Sequence, residues 1–254
     1  MKIAIVTGAS SGLGREFVKQ LDHRGYDSIW VVARRKALLE NLAGEVRTPL
    51  RMLALDLQQA ESFCELSNLL KEERPEVSML VNGSGFGKFG DYAQVPLEDC
   101  LDMIDLNCRA LVRMTQLILP YMQQGGQIIQ VSSLSAFQPV PYLNVYAATK
   151  AFVLRYAQAL NAEVHHRGIH VMALCPGWIK TEFFRHAKAS SDSAVTYFNK
   201  VFDADYIVRT VLRDCDRKKD VCVPHWRIKL QVLGVKLLPT KWVMAIWMRQ
   251  QGHR

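Results

Sequence analysis

The sequence predicts one α/β domain in which helices cover both faces of a parallel sheet. Short apolar runs alternate with segments of helical periodicity, and each run is continuous, as is typical of strands buried on both faces. The 254 residues are 49% apolar and 22% charged, which suits a single buried core, and they contain no internal repeat. Because helical segments separate the runs, we expect right-handed crossovers and a doubly wound sheet.

Seven apolar runs predict the strands of a seven-stranded sheet: residues 3–6, 29–33, 52–55, 79–81, 128–131, 171–174 and 221–223. The first run is too short for the core of a signal sequence and is predicted to be a buried strand. Phe17, Val18 and Leu21 share one face of the first helix, which Gly25 ends. Further helices are predicted at 36–43, 58–73, 97–122, 145–166 and 204–215.

The charge distribution argues against a nucleic-acid-binding protein. The net charge is +8, but residues 217–254 contain nine Lys or Arg against one acidic residue, whereas residues 1–216 are neutral overall. A nucleic-acid-binding domain usually carries its basic surface on the folded domain itself. The excess basic charge therefore belongs to a C-terminal segment.

Six cysteines are scattered along the chain without a Cys-x-x-Cys pair. This spacing argues against a disulfide framework and against a zinc site, so we expect no metal. Reduced thiols are typical of cytoplasmic proteins, and the cytoplasm is the location that we expect.

A glycine-rich turn follows the first strand directly and precedes the first helix. Its sequence is TGASSGLG at residues 7–14, with the spacing GxxxGxG. Glycines allow the backbone to approach a pyrophosphate closely, and the N-terminus of the helix stabilises the phosphate charge. The alternative is an ordinary strand-to-helix turn. The position after the first strand favours dinucleotide binding.

Two arginines at the end of the second strand indicate which dinucleotide is bound. Arg34 comes twenty residues after Gly14 and is followed by Arg35, where NAD-binding folds usually present an acid to the adenosine ribose. A guanidinium group suits a 2′-phosphate, which an acid would repel. The pair therefore favours NADP(H) over NAD(H), and the alternative is a solvated basic loop.

A Tyr, a Lys and a Ser are predicted to meet at the carboxyl edge of the sheet. Tyr146 and Lys150 are one helical turn apart on the same face of the helix at 145–166. Ser133 follows the strand at 128–131 and precedes Tyr146 by 13 residues. Ligands bind at the carboxyl edge of open α/β sheets, so these side chains form a candidate catalytic group.

Together these residues resemble the short-chain dehydrogenase/reductase family. The matching elements occur in family order and cover about residues 3–181. They are TGASSGLG at 7–14, Asp56, Asn82-Gly83-Ser84-Gly85, Asn107, Ser133, Tyr146, Lys150, and Cys175-Pro176-Gly177 with Thr181. The branch that the chain resembles most contains hydroxysteroid dehydrogenases and uncharacterised bacterial oxidoreductases. The resemblance implies a Rossmann-like catalytic domain over residues 1–225 that acts on CH–OH groups.

The resemblance also implies roles for four catalytic residues. Tyr146 would exchange a proton with the substrate oxygen, and Lys150 would favour its phenolate and hold the nicotinamide ribose. Ser133 would hydrogen-bond the substrate oxygen, and Asn107 would hold a water that links Lys150 to solvent. From the residues alone, Asn107 is equally explained as a helix-bonded amide and Asp56 as an N-cap.

The cofactor implied is NADP(H). In the family pattern Asp56 accepts from the adenine amino group and Thr181 contacts the nicotinamide amide. The full expected set is Gly8, Ser10, Ser11, Gly12, Leu13, Gly14, Arg34, Arg35, Asp56, Leu57, Asn82, Gly83, Tyr146, Lys150, Pro176, Gly177, Ile179 and Thr181. Gly83 departs from the family's usual Asn-Asn-Ala-Gly and removes a side chain beneath the cofactor.

Apolar residues around the catalytic group predict a bulky hydrophobic ketone or alcohol, and the resemblance to hydroxysteroid dehydrogenases implies a substrate like a steroid or bile acid. They are Phe86, Phe89, Leu134, Phe137, Val140, Leu143, Trp178, Phe183 and Phe184. By resemblance, residues at about 178–202 form a substrate lid, and the protein is a homodimer or homotetramer. The alternatives are aromatics that pack only on the domain, a 3-oxoacyl thioester or small ketone as substrate, and an NADP-sensing protein without turnover.

A basic amphipathic segment follows the domain. Residues 226–254 contain six Lys or Arg, no acidic residue and three tryptophans. Trp242, Val243, Ile246 and Trp247 fall on one helical stripe. Such a segment suits peripheral contact with an anionic membrane interface. The alternative is that it packs on the domain or on a partner subunit and covers the substrate cleft.

Overall fold

The computed structural model of the protein describes residues 1–182, 195–196, 198 and 200–252. The strands are β1 Lys2–Thr7, β2 Ser28–Val32, β3 Leu50–Leu53, β4 Glu76–Asn82, β5 Met122–Val131, β6 His170–Leu174, β7 Trp178–Ile179, β8 Val201–Phe202 and β9 Val221–Cys222. Seven of them form one sheet in the order β3-β2-β1-β4-β5-β6-β9, and every neighbouring pair is parallel. The predicted seven-stranded parallel sheet is confirmed.

Helices connect the strands of this sheet. In the described part of the chain they are α1 Gly12–Leu21, α2 Lys36–Ala43, α3 Ala60–Glu73, α4 Leu97–Ile104, α5 Leu111–Ile118, α6 Asn144–Val164, α7 Ala204–Asp216, α8 Trp226–Leu237 and α9 Thr240–Gln250. Every residue of β2 and β6 is buried, as expected for parallel strands covered on both faces. The predicted doubly wound α/β class is confirmed. None of the described helices is long and apolar enough to span a membrane.

The third strand lies two residues earlier than the apolar run that predicted it. β3 covers 50–53 rather than 52–55, and it is an edge strand whose Arg51 and Met52 are exposed. Leu53 and Leu55 are buried because the chain enters the core as the strand ends. An edge strand is not apolar on both faces. The apolar run therefore marks the end of the strand and the residues after it, not the whole strand.

The single helix predicted over 97–122 consists of several segments. A π-helix, Asp105–Ala110, separates α4 from α5, and a 3₁₀ turn, Leu119–Tyr121, ends the helical region. β5 then begins at Met122. The apolar pattern runs through all these segments, so it indicates one continuous helix. A π-helical turn is frequent at functional sites.

The glycine-rich turn after β1 packs tightly against the end of β4. Gly8 has a φ of +71°, and a Cβ there would lie 2.8 Å from the carbonyl oxygen of Gly83. A Cβ on Gly14 would lie only 2.2 Å from the carbonyl oxygen of Gly8, so both positions need glycine. Thr7 Oγ1 accepts hydrogen bonds from the backbone N–H groups of Gly83 (3.0 Å) and Ser84 (3.1 Å). These bonds fix the turn after β4 although Gly83 departs from the family pattern.

A buried hydrogen-bond network joins β4, β5 and α5 beneath the carboxyl edge of the sheet. Asn82 Nδ2 donates to Thr115 Oγ1 (3.0 Å) and to Gln130 Oε1 (2.9 Å). Gln130 Nε2 also donates to Thr115 Oγ1, at 2.9 Å, and the Thr115 hydroxyl donates to the carbonyl of Leu111. All three polar side chains are buried, so water cannot easily replace a lost partner.

Replacing Thr115 with Val tests this network. The change removes the oxygen that accepts from both amides and leaves two buried N–H groups short of a partner, at a cost of about 1–3 kcal/mol. We expect the free energy of unfolding, measured in urea, to fall by that amount. Thr210→Val is the matched control, because the buried Thr210 hydroxyl also donates to the carbonyl four residues earlier in its helix. Equal losses for the two variants would show that the network adds no stability.

Candidate active site

A cavity of about 860 Å³ lies at the carboxyl edge of the large sheet. Its walls contain most residues that the sequence predicts for the site: Gly8, Ser10, Ser11, Gly12, Leu13, Gly14, Arg34, Arg35, Asp56, Leu57, Gly83, Ser133, Tyr146, Lys150, Pro176, Gly177, Ile179 and Thr181. Asn82 and Asn107 are not among the lining residues. The fold therefore brings the ends of several strands to one site.

Ser133, Tyr146 and Lys150 lie next to one another in the cavity wall. Lys150 Nζ lies 5.6 Å from the centre of the Tyr146 ring, and Ser133 hydrogen-bonds the Tyr146 hydroxyl. Lys150 Nζ donates to the carbonyl of Val131 at 2.9 Å. Ser132 Oγ donates to the carbonyl of Lys150 at 2.7 Å. These last two bonds fix α6 to the end of β5.

Burial changes the pKa of both titratable groups in this wall. Burial raises the pKa of Tyr146 to about 12, against the opposing effect of the hydrogen bond with Ser133. Burial lowers the pKa of Lys150 to about 8. At neutral pH the phenol therefore keeps its proton and Lys150 is mostly charged. Burial is thus the largest effect on the pKa of the phenol.

Asn107 lies behind the cavity wall rather than in it. Its side chain is fully buried in the π-helix, where Oδ1 accepts from the backbone N–H of Phe86 at 3.0 Å. Its Nδ2 donates to the carbonyl of Phe86 (2.9 Å) and to Thr149 Oγ1 (3.0 Å). Both N–H groups of the side-chain amide are therefore used, whereas Oδ1 keeps one lone pair, and the expected water beside Lys150 stays a prediction. The three bonds fix the segment after β4 to α6.

Asn82, a predicted cofactor contact, lies beneath the cavity rather than in its wall. Its side chain is 3% exposed and is turned into the network with Thr115 and Gln130 beneath the cavity. The next two residues, Gly83 and Ser84, line the wall instead. Sequence alone does not separate these neighbours, because all three lie at the carboxyl end of the same strand.

One end of the cavity has the shape and charge that a dinucleotide needs. The turn at 7–14 places backbone N–H groups at the N-terminus of α1, and its glycines have no side chains that would keep a pyrophosphate away. Arg35 donates to Ser10 Oγ at 3.1 Å and pairs with Glu182 at 2.9 Å. Arg34 is 67% exposed, and its ion pair with Asp56 is long, at 3.9 Å. These residues fit a nicotinamide dinucleotide, and Arg34 is the less engaged of the two guanidinium groups.

The other end of the cavity is apolar. The predicted residues that line it are Phe86, Leu134, Val140, Leu143 and Trp178. Phe89 packs against Trp178 with ring centres 6.0 Å apart, and Phe137 packs on the main core. Phe183 and Phe184 lie outside the described residues, as does part of the predicted lid at 178–202. The described walls are nevertheless sufficient to make this end hydrophobic.

The C-terminal segment closes the apolar end of the cavity. It contributes Gln231, Gly234, Val235, Leu238, Val243, Ile246, Trp247 and Gln250 to the wall. Trp247 Nε1 donates to the carbonyl of Pro141 at 3.0 Å, and Gln251 Oε1 accepts from the backbone N–H of Thr196 at 2.9 Å. These bonds join the segment to two different loops beside the site.

Four charged residues of the wall were not expected from the sequence: Lys88, Asp99, Asp102 and Glu182. Lys88 and Asp99 form an ion pair at 3.4 Å. Like the wall residues of the C-terminal segment, they belong to no motif and reach the cavity only through tertiary packing. No local signal could have identified them.

The fold and the cavity together define a dinucleotide-dependent oxidoreductase. The pattern of the short chain dehydrogenase family matches residues 2–192, and the chain belongs to that family. The resemblance found in the sequence is thereby confirmed. The protein is an oxidoreductase that acts on alcohol or ketone groups with a nicotinamide cofactor.

Similarity to individual proteins extends over nearly the whole chain. It is 30% identical to a very-long-chain 3-oxoacyl-CoA reductase of Anas platyrhynchos, with 97% of this chain and 78% of the relative covered. A short-chain dehydrogenase from Sphingobium yanoikuyae, solved in complex with NADPH, is 28% identical with a TM-score of 0.79 and 96% of each chain covered. The bulky-bulky ketone specific alcohol dehydrogenase from Comamonas testosteroni is 26% identical, with a TM-score of 0.74 and coverage of 98% of this chain and 92% of that one.

The buried ammonium group of Lys150 predicts that stability depends on pH. Its pKa is about 8 in the folded protein and 10.5 ordinarily, so between these values the unfolded chain binds more protons. The contribution of this group to the free energy of unfolding therefore rises with pH across that window. Lys150→Met removes the buried charge and should stabilise the nucleotide-free protein by up to about 3 kcal/mol near pH 7, and by about 1 kcal/mol near pH 10.

Urea denaturation at both pH values measures this difference. Lys36→Met is the control, because the Lys36 side chain is 70% exposed and should show no comparable gain at either pH. A stabilisation by Lys150→Met that is the same at both pH values would contradict the assignment of a lowered pKa.

Proposed function

We propose that the protein is an NADP(H)-dependent oxidoreductase that interconverts a ketone and a secondary alcohol on a bulky hydrophobic substrate of steroid or bile-acid size. One observation carries the proposal: a single cavity joins a phosphate-binding turn and arginines to an apolar end, with Ser133, Tyr146 and Lys150 in its wall. Its volume of about 860 Å³ is near the upper end of the usual range for small-molecule sites, roughly 300–1,000 Å³.

Tyr146 is assigned the proton transfer. Its half-buried phenol is protonated at neutral pH because its pKa is raised to about 12, so it can donate to a ketone oxygen as negative charge develops there. In the oxidation direction the same oxygen, as phenolate, removes the proton of the alcohol. The nicotinamide, when bound, supplies or accepts the hydride.

Ser133 and Lys150 support this transfer. The Ser133 hydroxyl, which already bonds the phenol, is placed to hydrogen-bond the substrate oxygen and to stabilise its developing charge. The Lys150 ammonium has three donors and gives one to Val131, which leaves two for the ribose hydroxyls of the nucleotide. Asn107 acts as a positioning residue through Phe86 and Thr149.

Arg34 supports NADP(H) as the cofactor. Its guanidinium group lines the cavity and is largely exposed, and among the described residues its ion pair is the long one with Asp56. A 2′-phosphate would bind it through charge-assisted hydrogen bonds. The Sphingobium yanoikuyae protein was solved with NADPH, which agrees with this choice.

The apolar walls support a bulky substrate. The Comamonas testosteroni enzyme is described as specific for bulky-bulky ketones, and its similarity extends over 98% of this chain. A second candidate is the reduction of a 3-oxoacyl thioester, which the similarity to the Anas platyrhynchos reductase favours. A protein that binds NADP without turnover is disfavoured, because binding alone needs no group such as Ser133, Tyr146 and Lys150.

NADPH oxidation with a panel of carbonyl compounds tests the proposal. The panel contains keto-steroids, keto-bile acids, 3-oxoacyl thioesters and simple ketones. We expect the highest kcat/KM with the keto-steroids or keto-bile acids, whereas a maximum with the thioesters would establish the second candidate. Tight nucleotide binding with no turnover of any compound would overturn the oxidoreductase assignment.

Tyr146→Phe should reduce kcat by about 10²–10⁴-fold, the usual contribution of general acid–base catalysis. Nucleotide affinity, measured by fluorescence titration, should stay close to that of the wild type because the phenol oxygen is needed for the proton. Tyr156→Phe is the matched control, since Tyr156 lies on the same helix and its hydroxyl contacts Gln116. Retention of more than about a tenth of wild-type kcat by Tyr146→Phe would contradict the assignment of the proton transfer to Tyr146.

Arg34→Asp should weaken NADPH binding by about ten- to a hundred-fold, because a charge-assisted phosphate contact is lost. NADH binding should change much less, so the ratio of kcat/KM for the two cofactors shifts towards NADH. Lys36→Asp makes the same charge change two residues away on a side chain that is 70% exposed and outside the cavity wall. If both variants shift the ratio equally, the effect of Arg34 is only that of overall charge.

A further inference from the structure

One face of α8 is apolar and turned away from the domain. Trp226, Leu230, Leu233 and Leu237 follow one another at helical spacing, and each side chain is more than half exposed. The opposite face of the same helix packs on the domain through the buried Ile228 and Val232. Both sides of α8 are therefore apolar, although only one of them contacts the core.

Two residues separate α9 from the end of α8, and α9 carries further exposed apolar side chains. The stripe predicted for this helix is divided between two environments. Val243 is buried and Trp247 is half-buried in the cavity wall, whereas Trp242 and Ile246 are 64% and 49% exposed. We call the exposed set the outer face: Trp226, Leu230, Leu233, Leu237, Leu238, Trp242 and Ile246.

Basic side chains border the outer face. On α8 the helical period places Lys229 and Lys236 along one edge of the apolar stripe and Arg227 along the other. Lys241 and Arg249 are exposed on α9. The sequence from 226 to 254 contains no acidic residue.

The charge identifies what can cover this face. Two copies of the chain joined symmetrically through it would bring two uniformly basic segments together, and the repulsion would oppose the association. An anionic lipid surface instead attracts the basic border and accepts the apolar stripe, and tryptophan prefers the membrane interface. The lipid surface satisfies both properties of the face.

We propose that the outer face of α8 and α9 docks on the surface of an anionic lipid bilayer. The apolar side chains enter the interface in the plane of the membrane, and the Lys and Arg side chains contact the lipid headgroups. Docking itself needs neither nucleotide nor substrate.

The docking face is continuous with the candidate active site. Leu238 and Ile246 are exposed on the outer face and also line the cavity. A lipophilic substrate dissolved in the bilayer would therefore meet an apolar path from the lipid into the cavity. This second part rests on the proposed function, whereas the docking does not.

Vesicle flotation tests the docking. We expect the wild-type protein to float with vesicles of phosphatidylcholine and phosphatidylglycerol at low salt, to be released substantially by high salt, and to bind phosphatidylcholine vesicles at least about tenfold more weakly. Leu230→Ser/Leu233→Ser should lower the partition coefficient at least about tenfold, because two exposed leucines no longer enter the interface. Lys229→Glu/Lys241→Glu should lower it by a similar factor through charge.

A second helix supplies the matched control. Leu97 and Leu101 on α4 are 66% and 52% exposed, but Glu98, Asp99 and Asp102 accompany them. Leu97→Ser/Leu101→Ser removes the same apolar groups from an acidic surface and should leave flotation unchanged. An equal loss in this control would overturn the proposal, as would failure of the wild type to float at low salt or equal binding to both vesicle types.

Sedimentation velocity without vesicles tests whether a second copy of the chain covers the outer face instead of lipid. If Leu230→Ser/Leu233→Ser converts an oligomer to a smaller species, a second copy covers the outer face and the proposal is wrong. An unchanged sedimentation coefficient, together with the loss of flotation, supports lipid docking.

Kinetics test the supply of substrate separately. With a ketone dissolved in vesicles, Leu230→Ser/Leu233→Ser should raise KM several-fold while kcat is kept. With a water-soluble ketone the same variant should match the wild type, because neither leucine lines the cavity. Flotation without this KM effect would contradict the proposal that substrate enters from the bilayer, and the docking proposal would stand. Inactivity towards every ketone would contradict only the proposed function.

Discussion

The attachment of α6 to the end of β5 is the constraint on which the site depends. Lys150 reaches back to the carbonyl of Val131, and Ser132 reaches forward to the carbonyl of Lys150. The two bonds hold Tyr146 beside Ser133, although one residue comes from a helix and the other from the end of a strand. The same arrangement requires an ammonium group to be buried, which opposes folding in the absence of nucleotide. Local instability is thus built into the position that organises the chemistry.

The cavity has two ends whose chemical properties differ, and different parts of the chain make them. The end with the glycine turn and the arginines is built by the first two strands and the turns that follow them. Backbone N–H groups and guanidinium groups there suit phosphate. The apolar end is built by loops after β4, β5 and β6 and by the C-terminal segment. In the proposed reaction, the catalytic group in the wall acts on the molecules bound at both ends.

Sequence alone predicted the sheet and most of the cavity wall, because these depend on local patterns. The turn at 7–14, Ser133, Tyr146 and Lys150 each belong to a strand end or a helical turn whose position the apolar runs fix. Asn82 and Asn107 are different: each has the right position in the chain, but its side chain turns into a buried hydrogen-bond network. That direction depends on partners such as Thr115 and Thr149 from distant elements. The broken helix at 97–122 was likewise hidden by an uninterrupted apolar pattern.

The C-terminal segment shows the limit of such patterns most clearly. Its amphipathic character was evident, but the two apolar sides of α8 were not, because the inner side is recognised only from contacts with the domain. Lys88 and Asp99 also became wall residues only through packing.

The hydrogen bonds of Trp247 to Pro141 and of Gln251 to Thr196 have a consequence for how such a protein diverges. α8 and α9 contribute no strand to the large sheet, yet they form much of the apolar wall. Substitutions on their inner faces can therefore reshape the space for the substrate without altering the turn and arginines at the nucleotide end. Selection can act on this part of the apolar wall and on the nucleotide end separately, because α8 and α9 lie at the opposite end of the sequence from the glycine turn and the arginines.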